Sequence, residues 1–476
     1  MLVTEDKKLL EVCRKLVSVN KKSSRTFSSS AMPAPSDFPK LKIVSPSDVK
    51  GMVFDPVDPT ARVQAAAILK EVKDDGLAGL TAVALRLGDI KSADDKLFYD
   101  KTDLAAAFEA LDESARNVLI RAAARIKAFA EAQRSALKEV TIDIPGGQAG
   151  HHVAPVAVAG CYAPGGRYPL PSSVLMTAVT ARAAGVPIVW VASPRPAPAT
   201  LAAAHVAGAD GLMVVGGAQA IAAFAYGVGP IPACDVIVGP GNKWVTAAKS
   251  LVSGICAIDM LAGPSEVLVI ADGTCDPDTV AADLLAQAEH DTEARPILVC
   301  TEASIAHSVN DCMQRRMSVL TTAETARFAV EKGFACVCPD IETAIKVSDI
   351  VGPEHLEIIT ADSVGVSQKC QSYGAVFIGA ISAEVLGDYG AGPNHVLPTS
   401  GTARYTGGLS VFTFLRIRTW MNITNSDEAQ DLIKDCVQLA RIEGLEGHAQ
   451  AAECRLTKKL AGADAAESSP TKRAKK

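Results

Sequence analysis

Along the 476-residue chain the spacing of apolar positions shifts from one stretch to the next, and each shift marks a different kind of element. Residues 61–74 and 102–138 carry apolar side chains at helical spacing. In the second of these, Leu104, Phe108 and Leu111, then Leu119, Ala122, Ile126 and Phe129, recur every three or four positions. Val140, Ile142 and Ile144 alternate with other residues, which predicts a short extended piece ending in the Pro145-Gly146-Gly147 turn. From about residue 153, valine- and isoleucine-rich runs alternate with alanine-rich helical stretches: VAPVAVAGCY, a helix near 171–184, VPIVWVAS, a helix near 198–207, GLMVV, then ACDVIV. A second set begins at EVLVIAD (266–272) and runs through a helix at 277–290, PILVC, a helix near 304–316, ACVC, LEIIT and AVFIG. From Asp427 to Leu460 the pattern is helical again.

Such alternation predicts βαβ units on parallel sheets, so the fold class is α/β. The expected organisation is a tail (1–40), a helical N-terminal segment (41–150), two α/β domains of similar design (151–262 and 263–400), a small helical C-terminal unit (401–460) and a basic tail (461–476). The two central domains suggest an old duplication.

Composition narrows the function classes. The chain is 48% hydrophobic and 21% charged, with only 5% aromatics, which suits tightly packed layers of small side chains. A net charge of −6 supplies no basic face for nucleic acid, so that partner is set aside. Twelve cysteines are scattered singly apart from Cys336 and Cys338, with no CxxC pair; this reads as reduced, mostly buried thiols of an intracellular protein. No apolar run approaches the 18 residues of a membrane span. From Cys13 to Ser36 the chain has no acidic residue, several basic ones and many serines. That composition fits an organellar transit peptide or a plain disordered tail bypassed by starting at Met32, beside an otherwise cytoplasmic reading. The closing PTKRAKK fits a solvated basic tail first and a nuclear address second.

Chemistry concentrates in glycine-rich loops and a few histidines. GPGNKWVTAAK (239–249) follows a predicted strand and leads into a helix, and PGGRYPLPSSVLM (164–176) and GGAQAI (216–221) hold similar junctions. Glycine admits close backbone approach, and a helix N-terminus favours phosphate; tight turns alone would also explain the pattern, and no GxGxxG follows a strand. Of eight histidines, His151, His152, His205 and His307 lie in no motif and read as structural. Gln287 and His290, in LLAQAEHD, stand three apart on a predicted helix, so they share a face. Asp388, His395 and His448 could complete an N/O ligand set without cysteine, which suits zinc or another borderline ion such as manganese. Glu354-His355, in VGPEHLE, puts two proton-handling groups side by side: histidine titrates near neutrality and can take an alcohol proton, and glutamate can activate water.

VGPEHLE, GPGNKWVTAAK, AGPSEVLVIAD, DLLAQAEHD and GPNHVLPT stand in the order found in histidinol dehydrogenases, and the resemblance covers roughly residues 45 to 456. It implies two incomplete Rossmann-like domains and a homodimer with an active site shared between subunits. It further implies one zinc ion per subunit on Gln287, His290, Asp388 and His448, with His448 reaching across from the partner, and these four residues also facing the substrate. His355 would be the general base and Glu354 the activator of water. Ser265, His395 and Glu443 match substrate contacts, and Tyr162, Gln219 and Asn242 match residues lining an NAD site. The implied reaction is a four-electron oxidation of an amino alcohol, L-histidinol, to L-histidine through a retained aldehyde.

Some loops depart from the biosynthetic pattern. Thr180 stands where many members have proline, and Thr406-Gly407-Gly408 where Ser-Gly is common. Together with Arg167 and Arg404 these features are similar to the branch that oxidises sulfonated diols such as dihydroxypropanesulfonate, since arginine holds a sulfonate through paired N–H donors. His395 and the Glu443/His448 pair agree with the histidinol type, which is placed first. From other classes, a zinc hydrolase using Glu354 and His355, or a non-catalytic homologue retained as a binding protein, completes the alternatives.

Overall fold

The computed structural model describes residues 34–49, 57–165 and 168–456; both tails, including the expected targeting segment, and Arg167 lie outside them. Fifteen strands are assigned: β1 Lys42–Val44, β2 Phe98–Asp100, β3 Val140–Ile144, β4 Gly147–Pro155, β5 Val158–Tyr162, β6 Ile188–Ala192, β7 Gly211–Met213, β8 Val236–Val238, β9 Ala257–Ile258, β10 Glu266–Ala271, β11 Arg295–Cys300, β12 Phe334–Val337, β13 His355–Ile359, β14 Ala375–Ile378 and β15 Leu415–Ile423. They form two six-stranded sheets and one three-stranded sheet.

The two large sheets share one topology. The first has the order β2-β7-β6-β5-β8-β9 and the second β1-β12-β11-β10-β13-β14. In each, three successive strands step outward from the centre, then the chain returns to the other side of the first. Every pairing in them is parallel except that of the edge strand β2. The innermost strands are buried on both faces and therefore read as continuous apolar runs, as in Val267–Ala271.

The N-terminal segment does not form a body of its own. Its strand β1 completes the second sheet and β2 the first. Its first helix, Pro59–Leu87, is capped by Asp58, whose carboxylate accepts from Ala61 N, and continues past the expected end at 74 through a kink at Gly76. The expected helix 102–138 is two, Lys101–Glu109 and Glu113–Ala136, because Asp112 starts a new cap at Ala115 N.

Two other elements differ from expectation. The run 153–162 is not one strand: β4 ends at Pro155, β5 starts at Val158, and they belong to different sheets. The C-terminal unit is not purely helical, because β15 pairs antiparallel with β4 along Leu415–Ile423, and β4 with β3. Its strict alternation (Leu415, Ile417, Thr419, Met421 and Ile423 against Arg416, Arg418, Trp420 and Asn422) has the strand period of two. Helices Gln430–Ile442 and Glu446–Glu453 follow it and pack on each other. Among the described residues no helix is long and apolar enough to cross a membrane.

Candidate active site

The carboxyl edge of the first sheet faces the amino edge of the second. Across this boundary Asn394 donates to Met176 O (2.8 Å) and Thr180 Oγ1 (3.2 Å), and Ser173 Oγ lies 3.3 Å from His395 Nε2. The helical stretch on the first-domain side, residues 171–184, contains a π-helical turn at Leu175–Val179, a local irregularity common beside functional sites. Thr180 uses its hydroxyl inside this contact, donating to Met176 O at 2.7 Å.

Histidines and carboxylates from the second domain converge here. His355 opens β13, with Glu354 immediately before it. Gln287 lies in the last turn of the helix Pro277–Ala288, but His290 falls just past that helix, held by its N–H to Gln287 O at 3.3 Å. Asp388 ends the short helix Glu384–Asp388. The Asp388 carboxylate is ringed by three imidazoles: His290 Nε2 at 3.8 Å, His355 Nε2 at 3.7 Å and His395 Nδ1 at 3.8 Å. His395 Nδ1 also meets Asp388 O at 2.9 Å. Ser265, partly buried, precedes β10.

Ligand atoms of His290, Asp388 and Glu384 lie within 4.8 Å of one another. No sequence motif marks Glu384, a lone glutamate before an unremarkable LGD turn. Glu384 is 1% exposed with neither carboxylate oxygen hydrogen-bonded, and both side-chain polar atoms of the equally buried Gln287 also lack a partner. Leaving such groups unpaired costs on the order of 1–3 kcal/mol each, more for a charge. A divalent cation on these oxygens and on His290 would satisfy them, so the donor set fits a borderline metal ion. His448 does not join this cluster within one chain; it is exposed on the helix Glu446–Glu453, and Glu443 is exposed at the C-cap of the preceding helix.

The electrostatics follow from burial of so many acids. Burial pushes Glu354 up to about 8, Glu357 up to about 8 and Glu266 up to about 7, and Glu384 well above the usual carboxylate range. Glu357, beside Asp283, also accepts from Glu384 N at 2.6 Å. For Asp388 burial acts in the same direction, but the neighbouring His355, His395 and His290 outweigh it and hold it at about 2. His355 is the mirror case: burial disfavours its cation, yet Glu384, Glu354 and Asp388 raise it well above the ordinary histidine value. Burial lowers His395.

Tyr162, which ends β5, and Gln219 and Asn242, after β7 and β8, sit at the carboxyl edge of the first sheet. Since β5 and β8 are neighbours on opposite sides of the chain reversal, this is the crevice where open α/β sheets bind ligands. Tyr162 OH accepts from Gly217 N (3.2 Å), at the start of the helix Gly217–Tyr226. Gln219 donates to Asp89 Oδ2 (2.7 Å), which also takes Gly216 N (3.1 Å); Asp89, after the first helix, was not singled out by sequence. Asn242 Oδ1 caps the helix Lys243–Val252 by accepting from Trp244 N and Val245 N. Two helix N-termini thus open on one crevice, an arrangement favourable to phosphate. Gly239 between them has φ +118°, and a Cβ there would stand 2.0 Å from Tyr162 O.

Of the two arginines considered for a sulfonate, Arg404 alone lies among the described residues. Arg404 is exposed and donates to Gly401 O at 3.0 Å. His151 contacts Lys138 O (3.0 Å), His152 faces Glu139, and His205 packs on Phe108, as structural histidines do.

Comparison with known proteins agrees with this geometry. The family model for histidinol dehydrogenase matches residues 57–456. The histidinol dehydrogenase of Thermus thermophilus is 43% identical over 409 residues, covering 85% of this chain and 96% of that protein. That of Haloarcula marismortui is 42% identical over 395 residues, covering 82% and 92%. The crystal structure of histidinol dehydrogenase from Elizabethkingia anophelis superposes with a TM-score of 0.81 at 31% identity, covering 87% of this chain and 98% of that one.

Proposed function

Because the chain belongs to the histidinol dehydrogenase family, a group of oxidoreductases, we propose that it oxidises L-histidinol to L-histidine with two molecules of NAD per turnover, using zinc. The observation that carries this reading is His355. Its ring is buried, Nδ1 is spent on Glu266 O at 3.0 Å, and Nε2 has no hydrogen-bond partner while it faces the His290–Asp388–Glu384 cluster. A neutral imidazole has one donor and one acceptor nitrogen, so a carbonyl at Nδ1 leaves the lone pair on Nε2, aimed where a bound alcohol would stand.

Gln287, His290 and Asp388, with Glu384 beside them, would hold zinc, which supplies Lewis-acid polarisation of the amino alcohol. NAD would lie against Tyr162, Gln219 and Asn242 and serve as hydride acceptor. His355 Nε2 takes the hydroxyl proton as hydride leaves the carbon, giving the aldehyde. Glu354, buried beside His355, takes a proton from the water that adds to that aldehyde, and a second hydride transfer leaves the carboxylate. The sum is one alcohol, one water and two NAD consumed; one carboxylate, two NADH and three protons are released. His395 borders this space through Asp388, and Ser265 immediately precedes Glu266; both would position the substrate.

The positions of His448 and Glu443 support a homodimer. The three-stranded sheet of the same unit exposes Val140, Ile142, Ile417 and Met421, and the register of its ladders puts Val140 beside the Thr419 row and Ile142 beside Met421 on one face. An apolar face of this kind, attached to exposed polar residues that lack a site in their own subunit, supports docking on a second copy, with His448 and Glu443 entering the partner's cleft.

The test is NADH production at 340 nm by zinc-loaded protein given L-histidinol, with dihydroxypropanesulfonate in parallel. About two NADH per histidinol establish the four-electron reaction. Turnover of the sulfonate alone would move the enzyme to another substrate class, and no NADH with either would refute a dehydrogenase.

A further inference from the structure

The two catalytic candidates are held by a residue that neither step consumes. Glu266, the first residue of β10, donates its main-chain N–H to Glu354 Oε2 at 2.9 Å and offers its main-chain oxygen to His355 Nδ1 at 3.0 Å. These contacts move with the end of the strand, and the Glu266 side chain ties that end down. One carboxylate oxygen accepts from Ser400 N at 3.1 Å, and the other faces Arg295 Nη1 at 3.5 Å. Arg295 opens β11 directly opposite Glu266 in the parallel ladder, and its main-chain N–H donates to Ser265 O at 2.9 Å. It therefore grips the strand end from both sides: Ser265 by its backbone and Glu266 by its guanidinium.

Behind the pair lies a cavity of about 250 Å³, bordered by Arg295, Glu266, Ile297, Phe334 and Gly401. Close packing is missing on that side, so hydrogen bonds and charge, rather than bulk, keep the Glu266 carboxylate in place. A shift of the strand end would loosen Nδ1 of His355 from its carbonyl. The ring could then carry its proton on Nε2, where it is useless for taking a proton from the alcohol; a wrongly held tautomer disables a general base even when all groups remain present.

We propose that Arg295 is a positioning residue for the catalytic pair: through Glu266 it holds His355 as the Nδ1–H tautomer and fixes the Glu354 carboxylate beside it. The inference rests on His355 and Glu354 being the reacting pair. It is tested on the full-length zinc-loaded enzyme with Arg295→Met and Arg295→Lys, measuring kcat, KM for L-histidinol, bound zinc and the ring ¹⁵N shifts of His355 in histidine-labelled protein. For Arg295→Met the expected result is a kcat lower by about 10- to 100-fold with KM and zinc content little changed, and ¹⁵N shifts moving toward a mixture of tautomers. Arg295→Lys, which keeps a cation for Glu266, recovers most of kcat and the wild-type shifts. A kcat for Arg295→Met within about threefold of wild type overturns the proposal. So does a loss of kcat in which KM also rises and bound zinc falls, or a failure of lysine to rescue. His355→Ala separates the levels: if it stays active, the catalytic reading itself is wrong, whereas an inactive His355→Ala beside a normal Arg295→Met removes only the role of Arg295.

Discussion

His355 Nε2 stands 3.7 Å from Asp388 Oδ1, too far for a hydrogen bond and close enough for each to set the charge state of the other. The imidazole holds Asp388 ionised, and Asp388, with Glu384 and Glu354, favours a proton on the imidazole. A divalent cation on the carboxylates would remove that pull. Zinc loading should therefore lower the His355 titration midpoint, followed through its ring signals in histidine-labelled protein; an unchanged midpoint would mean the cation binds elsewhere.

Removal of the base should be severe but local. His355→Gln should lower kcat by about 10²- to 10⁴-fold, the range for loss of a general base, while zinc content stays at one per subunit by elemental analysis. Asp388→Asn or Gln287→Leu should do the converse and lower bound zinc. Should either variant retain full metal, the ligand assignment would have to be redrawn around Glu384 and His290.

The metal-free protein should lose stability as pH rises. Glu354 and Glu266 titrate at about 8 and about 7 in the folded protein against 4.5 when free, so the folded state binds more protons across that interval. Their contribution is complete below pH 4.5 and disappears through pH 7 to 8; His355, also raised, acts with the same sign. At about 1.4 kcal/mol per pKa unit, the two shifts together predict a fall on the order of 6 kcal/mol between pH 5 and 8.5, measured by urea unfolding with chelator present. Glu354→Gln should flatten the slope, and a stability that rises across this range would contradict the burial argument.

Sharing of the site between subunits can be read from hybrids. His355→Ala and His448→Ala proteins, each inactive alone, should regain part of wild-type activity when unfolded together and reassembled, because one of the two clefts in a mixed dimer is then intact. Mixtures that remain inactive would place His448 in its own subunit or outside the reaction.

Gly239 should not tolerate a side chain. Its φ of +118° and the 2.0 Å approach of a Cβ to Tyr162 O make Gly239→Ala cost about 3 kcal/mol or more, visible as a lower urea midpoint. A variant as stable as wild type would show that the β5 and β8 ends can part without strain.

Much of this architecture is legible in the chain. Buried parallel strands such as EVLVIA and helix starts such as Asp58-Pro59 are local signals, and a helix break at Asp112 is audible once the cap is considered. Glu354, His355 and the Gln287/His290 pair stand in dense motifs. Glu384, Asp89 and Glu266 carry no local sequence signal because their significance is created by folding: each is an ordinary acid whose key partners lie far along the chain. β15 does carry a sequence signal, the period-two alternation of LRIRTWMNI, which sits beside helical stretches and is the strand the helical reading of the C-terminal unit lacks.

The edge strand β1 has a consequence for how the molecule is made. Lys42–Val44 emerges from the ribosome early, yet its hydrogen-bonding partner, Phe334–Cys336, is synthesised only after the whole first sheet and the strands β10 and β11 of the second. The helices that follow β1 can settle on the first domain long before. Docking of β1 is thus a late clasp that ties the start of the chain to its far half. A gene divided between the two halves would separate this strand from its sheet, so the boundary that looks natural in sequence is a poor place to cut.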